Sequence, residues 1–188
     1  MMANDRLTEI TACVAAVRAE GVVAYPTEAV YGLGCDPHSR NAFDRLFALK
    51  QRPPEHGVLL IGAQFDHIAP FIGEVSAEAI ARARATWPGP YTWIFPRSTR
   101  TPAWLAGAHA GIALRVTAHP LAAELCRAFA GALVSTSANR HGKPPARTSA
   151  DVQADFGEEL SYILDGATGG LDKPTPIRDA ISGEIVRP

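Results

Sequence analysis

The chain has 188 residues, of which 47% are hydrophobic and 20% charged, with a formal net charge of -1. That is enough for one domain with a proper core but would cramp two, and the near-neutral balance excludes a protein that coats nucleic acid by bulk charge, though not one with a local basic cleft. The three cysteines, Cys13, Cys35 and Cys126, include no C-x-x-C pair. They argue against a disulfide framework or a zinc site and for buried free thiols in a reducing cytosol. The opening MMANDRLTEI lacks the basic and apolar regions of a signal peptide. No stretch approaches the roughly 18 apolar residues of a membrane span, so the expected compartment is the cytoplasm.

In chain order, Asn4 or Asp5 is expected to cap a first helix whose apolar face is Leu7, Ile10, Val14 and Val17, with Gly21 at its C-terminal end. Val22 to Tyr25 reads as a buried strand ending at Pro26. Ser39 to Lys50 reads as a helix with Phe43, Leu46 and Phe47 on one face, stopped by Pro53-Pro54. Val58 to Ile61 is a strand and Ala77 to Thr86 a helix. After the Pro88-Gly89-Pro90 breaker, Tyr91 to Phe95 alternates as a strand, followed by a strand at Ile112 to Val116. Pro120 opens a helix to about Ala130, and Ala132 to Thr136 is a strand. Thr148 with Asp151 forms a capping box, and Tyr162 to Leu164 and the runs between Ile177 and Val186 close the sheet. Gln64 to Ser76, Arg97 to Ala110 and Gly166 to Thr175 read as loops. The alternation implies an α/β or α+β domain with a mixed sheet, taken as a single unit over 1–188.

Three polar segments stand at the ends of these elements. Pro26-Thr27-Glu28 leaves a buried strand and leads to Gly32 and Gly34, which permit close approach of backbone to a ligand. Ser135-Thr-Ser137-Ala-Asn139 follows another strand, where small hydroxyls and an amide can bond phosphate oxygens. Lys50-Gln-Arg52-Pro53 ends a helix and offers a point charge beside a bidentate cation, a combination suited to polyphosphate. Each alone has a bland explanation: a turn, a serine-rich turn, and cations at the negative end of a helix dipole.

Together and in this order, the segments resemble the YrdC-like family of threonylcarbamoyl-AMP synthases. Pro88-Gly-Pro90, Arg115-Val-Thr-Ala-His-Pro120 and Ile177-Arg-Asp179 extend the resemblance from about Gly21 to Arg187. It implies an α/β fold with a twisted mixed open sheet flanked by helices and a concave basic cavity, in the short single-domain form. It also implies a nucleotidyltransferase that takes L-threonine, bicarbonate or CO2, and ATP with Mg2+, and hands threonylcarbamoyl-AMP to a downstream complex acting on tRNA. By the same resemblance Lys50 and Arg52 are the catalytic phosphate-binding cations. Ser135, Ser137, Asn139 and Arg187 join them at the nucleotide, while Thr27, Arg115 and Thr175 hold threonine, Arg115 at its carboxylate.

Two positions depart from the family pattern. Pro174-Thr175-Pro176 stands where Pro-Ser-Thr is common, and His56-Gly-Val-Leu59 follows Arg52 where Pro-Leu is common. His56 is read as a surface histidine, His119 as a helix cap, and Glu28 and Asp36 as structural rather than metal ligands. One rival reading is an RNA-binding module using Arg140, Lys143 and Arg147; another is a carbamoyl-adenylating domain like those of hydrogenase-maturation proteins.

Overall fold

A computed structural model describes residues 3–51, 53 and 55–188. Arg52 and Pro54 lie outside the described residues. The elements run α1 (Ala3–Arg18), β1 (Val23–Pro26), β2 (Tyr31–Gly34), α2 (Arg40–Lys50), β3 (Leu59–Gly62), α3 (Phe65–Ile68), α4 (Ala77–Arg84), β4 (Thr92–Pro96), α5 (Ala103–Ala106), β5 (Gly111–Val116), α6 (Pro120–Phe129), β6 (Leu133–Ser137), α7 (Ser149–Phe156), β7 (Tyr162–Ile163), β8 (Ile177–Asp179) and β9 (Ile185–Arg187). The strands form one nine-stranded sheet in the order β7-β1-β2-β6-β3-β5-β4-β8-β9. It is mixed: β1–β7, β3–β5 and β4–β8 are parallel, and the other pairs are antiparallel. This is the α/β class with a mixed, helix-flanked sheet that the sequence implied.

Side-chain alternation along the strands sends residues two apart to the same face, and this divides the core. On one face Val23, Tyr25, Ile61 and Leu133 pack under α1 and α6, against Ile10, Cys13, Val14, Val17, Leu121 and Leu125. On the other, Ala24, Leu33, Leu60, Leu114 and Val134 meet Phe43, Leu46 and Phe47 of α2, Ala79 and Ala83 of α4, and Val152 and Phe156 of α7. The second face is covered along its length. The first is covered only near α1 and α6, and its continuation is where the cavity described below lies.

Most local expectations hold, for the reasons given. Ser39 caps α2 by accepting from the Ala42 N–H, Pro120 opens α6, and the Thr148–Asp151 capping box opens α7. His119 caps α6 through its ring, 3.4 Å from the Ala122 nitrogen. The three cysteines are buried and unpaired, and burial pushes each thiol up to about 12. Among the described residues, no helix is long and apolar enough to cross a membrane.

Several expectations need correction. Asn4 and Asp5 fall inside the first turn of α1 rather than before it, where Asp5 complements the helix dipole. Leu7 is exposed rather than core-facing. Glu20, with φ 60°, takes the left-handed position expected of Gly21. Gly21 is needed for a different reason, since a Cβ there would lie 2.4 Å from Ser161 Oγ. Two of the three expected loops contain short helices, α3 and α5. The largest miss is β2: Tyr31-Gly-Leu-Gly34 is a buried strand, not a turn. A Cβ on Gly34 would sit 2.5 Å from the Val134 carbonyl and 2.7 Å from the Tyr25 ring, so this glycine serves sheet packing.

Candidate functional site

Beyond α1 and α6, the first face of the sheet continues as Ser135 and Ser137 on β6, Leu59 on β3, Ala113 and Arg115 on β5, and Thr92 and Ile94 on β4. These residues line a cavity of about 780 Å³. Strand register fixes their order across the floor: Leu59 pairs with Ser135 and with Ala113, and Ala113 pairs with Ile94. Most of the side chains are small, and Gly32 adds none, which leaves depth over the sheet. Thr27, Asn139, Thr175 and Arg187 complete the polar lining. Every described residue expected at a ligand therefore lines this one space except Lys50. Lys50 lines an adjoining compartment of about 260 Å³, which shares His56, Ser137 and Asn139 with it.

One end of the cavity is a buried charge network. Arg115 sits in an otherwise apolar strand and is 4% exposed; Glu28 is 6% exposed. Such charges must be paired. Arg115 Nη2 lies 3.3 Å from Glu28 Oε2, and Arg115 Nη1 donates to Thr175 Oγ1 at 2.6 Å. Glu28 Oε1 accepts from the Thr117 hydroxyl at 2.7 Å and from the Ala118 N–H at 3.1 Å. Burial alone would raise the Glu28 carboxyl. The Arg115 charge, the Thr117 hydroxyl and backbone N–H groups outweigh it and hold the carboxyl below its ordinary value. Arg115 Nε is buried with no hydrogen-bond partner among the described residues. Of the five N–H groups of Arg115, Nη1 gives one to Thr175, and the Nη2 contact with Glu28 is an ion pair without a hydrogen bond, so donors remain for an anion. Arg187 Nη2 donates to the Thr175 carbonyl at 3.0 Å, which places Thr175 between two guanidinium groups. Partial burial and the Arg115 charge both disfavour the Arg187 charge.

Thr27 is tied into its own turn: its hydroxyl donates to the Val30 carbonyl at 2.7 Å. The oxygen keeps acceptor capacity toward the cavity.

The other end is built on backbone. The Lys50 side chain leaves the C-terminus of α2 and is 4% exposed. Its Nζ donates to the carbonyls of Ser137 and of Asn139, the latter at 2.9 Å, and reaches Asn139 Oδ1 at 3.4 Å. Ser137 Oγ donates to Asn139 Oδ1 at 2.6 Å, and Asn139 Nδ2 donates to the Lys143 carbonyl at 2.8 Å. The Ser-x-Asn segment is thus locked by its own amide and by the Lys50 ammonium. Ser135 is buried beside it, 3.3 Å from where a Cβ on Gly32 would stand. Gly32, unlike Gly34, does give backbone access to the cavity.

Some residues stand differently from their expected roles. Glu28 pairs with Arg115, so it shapes the site. Asp36 accepts from the His38 N–H at 2.8 Å, away from the cavity. His56 is exposed, yet it borders both compartments, and His141 joins it in the smaller one. In the loop proposed for RNA, Arg140 donates to the carbonyls of Leu49 and Asp155, pairs with Glu159 and lies over the Phe156 ring at 5.2 Å. Arg147 donates to the carbonyls of Leu171 and Asp172. Both arginines brace their own chain rather than present a cationic face. Sequence reasoning missed the Glu28–Arg115 pair and His141. The available signal for the pair was a lone arginine inside an apolar strand, which demands a buried partner.

Among the described residues, the cavity lining holds Arg115 and Arg187 and no aspartate or glutamate. Of these two arginines, Arg115 has Glu28 as its partner.

Comparison with known proteins gives a consistent picture. The family model for Sua5, YciO and YrdC proteins, described as "Telomere recombination", matches residues 15–188. The chain is 47% identical to the threonylcarbamoyl-AMP synthase of Coxiella burnetii (strain RSA 493 / Nine Mile phase I), over 98% of this chain and 99% of that protein. It is 51% identical to the protein of the same name from Halorhodospira halophila (strain DSM 244 / SL1), over 92% of this chain and 91% of that one. Among solved structures, Sua5 of P. abyssi complexed with L-threonine superposes with a TM-score of 0.86 at 30% identity. That match covers 93% of this chain, which spans 51% of the Sua5 chain.

Proposed function

The chain belongs to the Sua5/YciO/YrdC family, and from that premise we propose that it is an L-threonylcarbamoyladenylate synthase. In this reading it condenses L-threonine, bicarbonate or CO2, and ATP into threonylcarbamoyl-AMP and pyrophosphate. The product passes to a complex that modifies tRNA beside the anticodon. The observation that carries the reading is a cavity with a buried arginine at one end and a locked Ser-x-Asn segment at the other. Such a space suits two anionic reactants held end to end.

In this reading the threonine carboxylate lies against Arg115, with Thr175 and Thr27 beside it. The free amine of threonine combines with CO2 to give a carbamate. A carbamate oxygen attacks the α-phosphorus of ATP, and the bond to the β-phosphate oxygen breaks, its electron pair leaving with pyrophosphate. The protein's work is positioning and charge neutralisation. Ser135, Ser137 and Asn139 orient the nucleotide, with Arg187 near it, and Lys50 and Arg52 neutralise the leaving phosphates. Mg2+ would arrive as part of the nucleotide. The lining offers hydroxyls, an amide and guanidinium groups, a donor set suited to phosphate oxygens rather than to a resident cation.

Lys50 gains a second task from the geometry. Its ammonium holds the Ser137 and Asn139 carbonyls, so it fixes the nucleotide-binding segment as well as offering charge. The test is mass detection of threonylcarbamoyl-AMP after mixing the protein with ATP, bicarbonate and threonine. Carbamoyl-AMP formed from carbamoyl phosphate with no threonylcarbamoyl-AMP from threonine and bicarbonate, or ATP consumption independent of threonine, would overturn the assignment.

A further inference from the structure

The smaller compartment is lined by Lys50, His56, Ser137, Asn139, His141 and Gly142. At about 260 Å³ it falls below the roughly 300–1,000 Å³ of a self-sufficient small-molecule site. It opens beside the larger cavity and shares three lining residues with it. Its size and shared lining are those of a subsite that continues the larger cavity.

Two imidazoles flank it. The His56 and His141 ring centroids are 6.5 Å apart, with the planes inclined by 33°. Rings at this separation leave room for neighbouring phosphoryl oxygens to accept from each at ordinary hydrogen-bond distance. Both histidines stand on anchored backbone. His56 forms a β-bridge with Gly107, and the Ala108 N–H donates to the Glu55 carbonyl at 3.0 Å. Gly107 has φ 58°, and a Cβ there would lie 2.3 Å from the Glu55 carbonyl oxygen, so the close bridge requires glycine. His141 donates its backbone N–H to the Lys50 carbonyl at 2.8 Å, at the end of α2. Next to it Gly142, with φ 76°, has no atom within 4 Å of where its Cβ would stand, which leaves the compartment open on that side. Two imidazoles on anchored backbone, lining one compartment with the Lys50 side chain, supply the donor types that bind a phosphoryl group.

We propose that His56 and His141 are pyrophosphate-positioning residues, which hydrogen-bond the β- and γ-phosphoryl oxygens of the nucleotide and hold the pyrophosphate as it leaves. This rests on the synthase reading. No proton transfer is required: as the carbamate oxygen bonds to the α-phosphorus, charge develops on the departing β-phosphoryl oxygen, and the imidazole N–H groups stabilise it by hydrogen bonding. Sequence reading had left both residues out of the site.

The experiment titrates inorganic pyrophosphate, AMP and threonine separately into wild type, the His56→Ala/His141→Ala double variant and the His56→Gln/His141→Gln double variant, by calorimetry. Pyrophosphate affinity should fall roughly 10- to 100-fold in the alanine variant, the scale of lost hydrogen bonds to a charged group. It should recover in part with glutamine, which keeps an N–H donor. AMP and threonine affinities should stay within about twofold, since neither ligand reaches these side chains. Unchanged pyrophosphate affinity overturns the proposal, as does a parallel loss for all three ligands, which marks a structural role. Turnover by the wild type reads the synthase assignment independently. Pyrophosphate held through the two histidines by a protein that makes no threonylcarbamoyl-AMP would keep the subsite and remove the activity.

Discussion

The two ends of the cavity are rigid by different means. At the Arg115 end, charged side chains hold one another: Glu28, Arg115 and Thr175 form a buried chain of contacts drawn from β5 and from segments far apart in sequence. At the Ser-x-Asn end, main-chain carbonyls and a local amide do the holding, with Lys50 as the cross-brace. A desolvated charge network is all-or-none, because removing one member leaves another buried and unpaired. A backbone-anchored loop loses its contacts one at a time. The first end should therefore fail through stability and the second through catalysis.

The comparison breaks most visibly at Glu28. Glu28→Ala leaves the Arg115 guanidinium buried without its counter-charge and should cost about 3–5 kcal/mol of folding stability, read from urea denaturation. A cost under about 1 kcal/mol would show that the pair is not a unit. The same carboxyl predicts a pH response. Its folded value lies below the ordinary 4.5, so the unfolded state binds the proton more readily. The Glu28 contribution is complete above that ordinary value and is lost as pH falls through the lower folded one. Stability of wild type should drop more steeply than that of Glu28→Gln in this acidic window, measured by denaturation at stepped pH.

At the opposite end Lys50→Met should lower kcat/KM for ATP by about 10²–10³, the range seen when one preorganised donor to developing charge is removed. Threonine affinity should stay near that of wild type. Equal losses for ATP and threonine would mean that the two ends are one network and the contrast is false.

How far the sequence revealed each end follows from the same physics. Periodicity and breakers located nearly all the helices and strands, because Ser39, Pro120 and Thr148 act on their own neighbours. Tyr31-Gly-Leu-Gly34 escaped because its glycines look like a turn until Tyr25 is known to lie across Gly34. The order of motifs, through family resemblance, named Thr27, Lys50, Arg115, Ser137 and Asn139 before any geometry was visible. Their mutual arrangement was not legible. Glu28 meets the segment after Arg115 across 89 residues, and Lys50 meets Ser137 across 87. Nothing in local pattern encodes contacts at that separation. His56 was read as a plain surface residue because exposure and position beside a cavity are independent properties, and only the fold reports the second.

Smaller perturbations sharpen the contrast. Thr175→Val keeps the side-chain shape and removes the oxygen that accepts from Arg115 at 2.6 Å. A hydrogen bond to a charged group is worth roughly 1.5–3 kcal/mol. That loss should divide between stability and the KM for threonine, with the KM for ATP unmoved. A change in ATP binding instead would place Thr175 at the nucleotide.

The smallest effect tests the support behind the backbone-held end. α7 lies outside the cavity, but Arg140, next to Asn139, reaches the Asp155 carbonyl and rests on Phe156 near the helix end. Thr148 caps that helix by accepting from the Asp151 N–H at 3.1 Å. Thr148→Ala should cost about 1 kcal/mol of stability. Hydrogen exchange should rise in α7 and in residues 139–143, while the amides around Glu28 and Arg115 keep their protection, because the charge network does not touch α7. Faster exchange at both ends of the cavity would instead mean that one cooperative unit spans the site.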